Sequence, residues 1–133
     1  MNEIITKIQA VYSDLHKACG NLEEALAQEP TRLYKDATIK RFELAFELSW
    51  KFLQLVTTEL GKTEVSPRSV IRTAALLELI EDPVVWFSFL DARNMSVHVY
   101  KEQLADKVYE VAKKMPGMIH ALLESSEVRN LHL

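Results

Sequence analysis

The chain has 133 residues, 48% of them hydrophobic, which is enough for one hydrophobic core without disulfide or metal support. Nineteen acidic residues against sixteen Lys and Arg give a formal net charge of −3, which excludes a generally polyanion-binding surface. Only three Gly and four Pro occur, which is few for an all-β protein and favours helices. We therefore predict one all-α domain over residues 1–133.

Apolar residues spaced three and four apart predict helices along the chain. The first stripe covers residues 4–22, and Pro30 follows it as a breaker. The second covers residues 39–60, with Gly61 as a C-terminal cap. Beside this second stripe runs another apolar row, formed by Leu44, Leu48, Phe52 and Leu55. A helix that is apolar over most of its circumference is typical of the centre of a bundle.

Three further segments complete the predicted bundle. Ser66 and Asp82 are predicted N-caps, each followed by a proline at the first helical position. The final stripe covers residues 104–122 and contains Pro116 and a glycine after it, where we predict a kink or break. The tail SSEVRNLHL is predicted to be frayed. Short connections between these segments predict an up-and-down four- or five-helix bundle.

The single cysteine, Cys19, cannot form an internal disulfide, which indicates a reducing compartment. The N-terminal sequence MNEIITKIQ lacks the apolar core of a signal peptide, and no apolar run approaches the length of a membrane span. We expect a cytoplasmic protein without a membrane anchor, in which Cys19 is a small buried thiol.

Residues 91–100, DARNMSVHVY, place Asp, Arg, Asn, His and Tyr side chains after an apolar helical run. On a helix Arg93 falls on an otherwise apolar ridge, so it points toward the bundle or toward a partner chain. Because an unpaired buried guanidinium is costly, Arg93 must meet a carboxylate, carbonyl groups or an anionic ligand. Glu43 and Glu47 of the central helix are the internal candidates, and Glu47 is preferred.

Two interpretations of this stretch stay open. In one, Arg93 pairs with a bundle carboxylate, Asn94 and His98 bond to the backbone, and the cluster only ends a helix. In the other, Arg93 binds a phosphate and His98 transfers a proton near neutral pH. Residues five apart lie about 140° apart on a straight helix. The Arg and His therefore converge only if the helix bends after Asn94 or if a second copy completes the pocket in a twofold dimer.

The hexapeptide RNMSVH resembles the Arg-x4-His signature of HEPN domains, and Tyr100 matches the longer Arg-x4-His-x-Tyr form. The segments KRFELAFELSWKFLQ and YKEQLADKVYEVAKKMPGMIHALLE are similar to the nucleotidyltransferase substrate-binding protein family, the HEPN branch paired with minimal nucleotidyltransferases. This resemblance covers nearly the whole chain. It implies a HEPN-like helical bundle that forms a homodimer with the motif at the interface.

The resemblance also implies a metal-independent endoribonuclease, the toxin of a toxin–antitoxin pair whose antitoxin is a minimal nucleotidyltransferase chain. His98 would act as acid or base and Arg93 would stabilise the phosphorane oxygens. Asn94 would orient the phosphate or the imidazole, and the antitoxin would adenylylate Tyr100. The alternative is a non-catalytic subunit that binds the nucleotide or substrate of a two-chain nucleotidyltransferase. The chain has no Gly-Ser plus paired-Asp signature, so we expect no nucleotidyl transfer from it alone.

The remaining polar residues contribute less to the prediction of function. Glu47 and Asp91 are predicted as supporting residues of the site. Arg68 is predicted on a solvated ridge. Three histidines have no ligand spacing and are interpreted as incidental, namely His16, His120 and His132. No metal and no other cofactor is expected; RNA or a nucleotide is the expected ligand.

Overall fold

The computed structural model describes residues 3–133; Met1 and Asn2, which belong to the predicted domain, lie outside the described residues. Within that range all regular structure is helical, which confirms the all-α prediction. The helices are α1 (Glu3–Leu26), α2 (Arg32–Glu59), α3 (Pro67–Leu76), α4 (Pro83–Met95), α5 (Glu102–Ala112), α6 (Met115–Leu123) and α7 (Ser126–Arg129). A 3₁₀ turn at Ser96–His98 separates α4 from α5. None of the described helices is long and apolar enough to cross a bilayer.

Helix α2 forms the centre of the bundle, as its apolar pattern predicted. It packs against α1, α3, α4 and α5. Its inward face is fully buried and rich in aromatic rings, and includes Ile39, Phe42, Phe46, Phe52, Leu53 and Val56. The short connection 27–31 makes α1 and α2, the two longest helices, antiparallel neighbours.

The second apolar row predicted on α2 is only partly covered. Phe52 of that row is buried, whereas Leu44 is 55% exposed and Leu48 and Leu55 are half-buried. The central position predicted for α2 is thus confirmed, although one residue of its second apolar row, Leu44, stays exposed. The four neighbouring helices leave one strip of α2 in solvent, and a single exposed leucine is an ordinary feature of a protein surface.

The predicted boundaries around α3 are confirmed in detail. Gly61 follows α2 with φ of +93°, a conformation that glycine adopts without steric cost. Ser66 Oγ accepts a hydrogen bond from the backbone N–H of Ser69, and the Ser69 hydroxyl accepts one from the N–H of Ser66. This reciprocal capping box, with Pro67 in the first turn, fixes where α3 begins.

Asp82 caps α4, the helix that carries Arg93. Its carboxylate accepts hydrogen bonds from the backbone N–H groups of Val84 at 3.1 Å and Val85 at 3.3 Å. Because these N–H groups have no partner inside the helix, Asp82→Ala should lower the free energy of unfolding by about 1 kcal/mol. Urea denaturation measures this loss. The control Glu81→Ala removes an exposed carboxylate outside the cap and should cost less than about 0.5 kcal/mol. Equal losses in the two variants would contradict the capping role.

The C-terminal third differs from the prediction in two places. The break between the last long helices falls at Lys113 and Lys114, whereas the sequence placed it at Pro116. Pro116 lies in the first turn of α6, where a residue without an N–H loses no intrahelical hydrogen bond. The tail is also not frayed throughout, because Ser125 caps the short α7 and Val128 of that helix is buried in the core.

Candidate functional site

The segment 91–100 crosses a change in helix geometry. Helix α4 is regular as far as Met95, and the N–H of Ser96 then bonds to the carbonyl of Arg93, three residues back. A 3₁₀ turn advances about 120° per residue instead of about 100°. The chain therefore changes direction just before His98, which places the motif's Arg and His on different kinds of backbone.

Arg93 lies between α4 and α2 and has an internal partner. Its Nη1 donates to Oε1 of Glu47 in a close ion pair, and its guanidinium carbon lies 5.5 Å from the centre of the Phe46 ring. The Arg93 and Glu47 side chains are 31% and 35% exposed, so the pair is partly shielded from water. Trp50 holds Glu47 in place, because its Nε1 donates to Oε2 at 3.0 Å. The guanidinium thus has the carboxylate partner that its place on an apolar ridge requires.

Most N–H donors of Arg93 have no acceptor among residues 3–133. Its Nε is buried without a partner in the described chain, and among residues 3–133 Nη2 is bonded to no other residue. A guanidinium carries five N–H donors, so the Glu47 pair satisfies only a part of them. An anion that reaches the Nη2 side would be bound without breaking the pair.

A second contact between α4 and α2 was missed at the sequence level. The buried hydroxyl of Ser96 lies 2.8 Å from Oε2 of Glu43 and 2.7 Å from the Arg93 carbonyl oxygen. Its single proton is donated to one of these acceptors at a time. Glu43 and Glu47 are one helical turn apart on α2, so both carboxylates predicted as partners face the motif. The signal was present in the sequence as this carboxylate spacing, but nothing in the pattern singled out Ser96 itself.

His98 and Tyr100 form an exposed pair beyond the end of α4. The Tyr100 hydroxyl lies 3.5 Å from Nδ1 of His98, and the two rings meet edge to face with centroids 6.0 Å apart. Tyr100 is 73% exposed and Asn94 is also exposed. Within residues 3–133 the Asn94 side chain makes no hydrogen bond, and Arg93 and His98 do not bond to each other. The single chain therefore brings the Arg to Glu47 and the His to Tyr100, and leaves the two groups apart.

The other residues around the segment have different partners. Asp91 faces Arg68 of α3, with Oδ1 and Nη2 3.7 Å apart and both side chains exposed. Arg32, at the start of α2, donates from Nη2 to the carbonyl of Val99 at 2.8 Å and fixes the loop after the 3₁₀ turn. No sequence signal points to Arg32, because its partner is a backbone carbonyl 67 residues away.

His120, which the sequence analysis interpreted as incidental, has two side-chain neighbours on α1. His120 Nε2 lies 3.2 Å from Oε1 of Glu23 and 3.7 Å from Sγ of Cys19, across the contact between α1 and α6. Periodicity placed Cys19 and Glu23 on one helix but did not show which residue of α6 faces them. The buried character predicted for Cys19 is confirmed, since its exposed fraction is 1%.

The Glu47–Arg93 pair should contribute measurably to stability. Glu47→Gln keeps the side-chain volume and an acceptor for Trp50 but removes the charge, which leaves a partly buried guanidinium unpaired. We expect a loss of about 1–2 kcal/mol in the free energy of unfolding, between the effects of exposed and buried ion pairs. Chemical denaturation measures it. Glu110→Gln is the control: it breaks an exposed i,i+3 pair with Lys113 and should cost less than about 0.5 kcal/mol. A Glu47 variant no less stable than this control would argue against the pair's contribution.

Comparison with known protein families gives a match that covers most of this chain. The family model described as nucleotidyltransferase substrate binding protein like matches residues 10–127. A curated relative from Haemophilus influenzae, named "Probable ribonuclease HepT", is 29% identical over 97 residues, which are 69% of this chain. The chain spans 66% of the length of that relative.

Two solved structures share the fold. A crystal structure from Thermus thermophilus is 31% identical with a TM-score of 0.79, and the match covers 90% of this chain and 99% of the other. A Haemophilus influenzae structure, described as revealing the fold of a substrate binding domain of a nucleotidyltransferase, is 21% identical with a TM-score of 0.67. That match covers 94% of this chain and 98% of the other. Because the family model covers most of its length, the chain belongs to the nucleotidyltransferase substrate binding protein like family.

Proposed function

We propose that the chain is the HEPN-type partner subunit of a minimal nucleotidyltransferase and a metal-independent endoribonuclease of the cytoplasm, the toxin of a toxin–antitoxin pair. The observation that carries this proposal is the exposed imidazole of His98, five residues beyond Arg93. Its Nδ1 faces the Tyr100 hydroxyl, and among the described residues its Nε2 has no partner. Family membership and the name of the Haemophilus influenzae relative support the same function.

The proposed reaction uses the 2′-hydroxyl of RNA as its nucleophile. Neutral His98 takes the proton of this hydroxyl, and the oxygen attacks the adjacent phosphorus. The 5′-oxygen of the next nucleotide leaves and takes up a proton from solvent, which gives a 2′,3′-cyclic phosphate and a 5′-hydroxyl end. Arg93 stabilises the charge that builds up on the phosphorane oxygens through its unused donors, and Asn94 orients the phosphate or the imidazole.

A second copy of the chain would bring the separated groups together. A mainly apolar groove of about 510 Å³ runs between α4 and α5, and Asp91, Ala92 and Met95 of the segment that carries the motif line it. In a twofold contact the same patch meets itself, so a homodimer formed here would place two copies of the motif face to face. Light scattering on the purified protein tests this: a mass of two chains supports the composite site, and a monomer that still cleaves RNA contradicts it.

Tyr100 is the proposed point of control. Its phenol is well exposed, so a partner enzyme reaches it without unfolding the chain. Transfer of AMP from ATP to the Tyr100 oxygen would release pyrophosphate and the phenolic proton. The added phosphate and nucleoside would stand beside His98 and block RNA. Mass spectrometry after co-expression with a minimal nucleotidyltransferase that binds this chain should find one added AMP on this tyrosine.

The alternative is a non-catalytic subunit that helps a nucleotidyltransferase hold its substrate. Two observations favour it: the net charge of −3 is unfavourable for RNA, and Glu47 already neutralises Arg93. The same segment would then bind a nucleotide without cleaving anything.

Incubating the purified chain with RNA in the presence of EDTA separates the two functions. The nuclease proposal expects cleavage to cyclic phosphate ends, which stops when the nucleotidyltransferase and ATP are added. Stable binding of the nucleotidyltransferase with no RNA cleavage by the free or the bound chain would overturn that proposal in favour of the substrate-binding subunit.

A further inference from the structure

Three side chains with different ligand atoms meet on the contact between α1 and α6. Cys19 and Glu23 lie one turn apart on α1, and His120 reaches them from α6. Cys19 Sγ is 3.8 Å from Glu23 Oε1 and 3.7 Å from His120 Nε2, and the carboxylate and imidazole atoms are 3.2 Å apart. None of the three belongs to the 91–100 segment.

These separations are those of one face of a tetrahedral metal site. With Zn–S of about 2.3 Å and Zn–N and Zn–O of about 2.0–2.2 Å, neighbouring ligand atoms lie roughly 3.3–3.7 Å apart. Each observed distance lies within about 0.3 Å of its own edge; the two distances to sulfur are slightly long and the nitrogen–oxygen distance is slightly short. Side-chain shifts of a few tenths of an ångström would bring the three atoms to the spacing of metal ligands.

Burial and charge also suit a divalent ion. Cys19 is buried and forms the floor of the site, whereas the side chains of Glu23 and His120 are 49% and 44% exposed and form its rim. Solvent reaches the rim and can supply a fourth ligand. A thiolate and a carboxylate together carry two negative charges, which balance Zn²⁺ while the imidazole stays neutral. A mixed sulfur, nitrogen and oxygen set favours zinc over magnesium or calcium.

Metal binding at this site requires the Cys19 thiol to lose its proton. Burial, with a further contribution from the Glu23 carboxylate, raises the pKa of the Cys19 thiol to about 12. The thiol is therefore protonated at neutral pH in the free protein. When the metal binds, the S–H bond breaks, the proton passes to solvent and a metal–sulfur bond forms.

We propose that Cys19, Glu23 and His120 bind one Zn²⁺ ion, with water as the fourth ligand, and that this ion links α1 to α6. The linked residues are 97 and 101 positions apart in the sequence, so the ion would close a loop that spans most of the chain. This proposal is independent of the proposed RNA chemistry, since it uses none of the same residues.

Titration of tag-free, chelator-treated protein tests the site directly. We expect one Zn²⁺ per chain with a submicromolar dissociation constant. At a hundredfold excess over that constant Zn²⁺ should raise Tm by about 5–10 °C. Substituting Co²⁺ should give the visible spectrum of a tetrahedral complex together with a thiolate-to-cobalt charge-transfer band in the near ultraviolet. The band reports sulfur ligation specifically.

Variants decide whether these three residues are the ligands. Cys19→Ala should abolish the charge-transfer band, and His120→Gln should weaken Zn²⁺ binding by at least about 100-fold, beyond the loss typical of outer-shell partners. His16→Gln, an exposed histidine on the same helix as Cys19, is the matched control and should bind like the wild type. Because the His120 side chain is half-exposed, its variant keeps the test valid if Cys19→Ala fails to fold. Absence of stoichiometric binding, or a cobalt spectrum without the sulfur band, would overturn the proposal.

Discussion

RNA cleavage by the His98→Ala variant should fall by at least about 100-fold, the usual contribution of a positioned acid or base. An imidazole can both accept and donate a proton, and the exposed place of His98 beyond α4 gives it access to a substrate. Alanine there removes no core contact, so Tm should stay within a few degrees of the wild-type value. A gel assay with a labelled RNA, in EDTA, measures the rate.

Two matched variants make this result interpretable. His16→Ala removes another exposed histidine, on α1, and should leave cleavage unchanged. Tyr100→Phe keeps the ring against His98 but removes the hydroxyl, so it should abolish AMP attachment and affect cleavage less than the loss of the imidazole. Cleavage by His98→Ala at the wild-type rate would exclude His98 as the proton-transferring group.

The largest loss of stability should come from Phe42→Ala. Phe42 is completely buried on α2 and meets Phe89 of α4 edge to face, with ring centroids 6.3 Å apart. Truncation removes a large apolar surface and leaves a cavity, which costs about 3–5 kcal/mol. For a chain of this length the corresponding fall in Tm is roughly 10–18 °C. Thermal unfolding followed by circular dichroism measures it.

Leu44→Ala is the control on the same helix. Its side chain is more than half exposed, so its loss should change the free energy of unfolding by less than about 0.5 kcal/mol. If both substitutions cost several kcal/mol, Leu44 would have to be covered in solution, for example by another chain. That outcome would contradict the exposed strip described on α2.

Capping residues in the sequence predicted where helices begin, but the sequence pattern predicted less well which faces of the helices are buried. Ser66 and Asp82 act within three residues of themselves, and a following proline restricts where the helix begins, so their roles were readable from the sequence. The exposure of Leu44 depends on which helices pack around α2, which no local pattern determines. The break predicted at Pro116 was misplaced because a proline is equally compatible with breaking a helix and with starting one.

In the candidate site too, what depends on one residue alone could be predicted from the sequence, whereas contacts between distant segments could not. The cost of an uncompensated guanidinium correctly predicted that Arg93 has a partner, because that cost does not depend on the fold, and Glu47 was one of the two carboxylates named as candidates. The contacts of Ser96, Arg32 and His120 could not be predicted, since each joins segments that are distant in the sequence. The roles of His98, Asn94 and Tyr100 in catalysis and modification remain predictions.

Helix α4 and the 3₁₀ turn that follows it are both attached to α2, the helix through Arg93 to Glu47 and the turn through Ser96 to Glu43. With one contact the C-terminal end of α4 could still rotate about that contact. Two contacts fix both the rotation of the helix and its position along α2. The direction of the chain after α4, where His98 lies, is therefore set by the contacts of Arg93 and Ser96 with α2. The backbone that leads to His98 would already be in place when a substrate arrives, so little of its ordering entropy would be lost on binding.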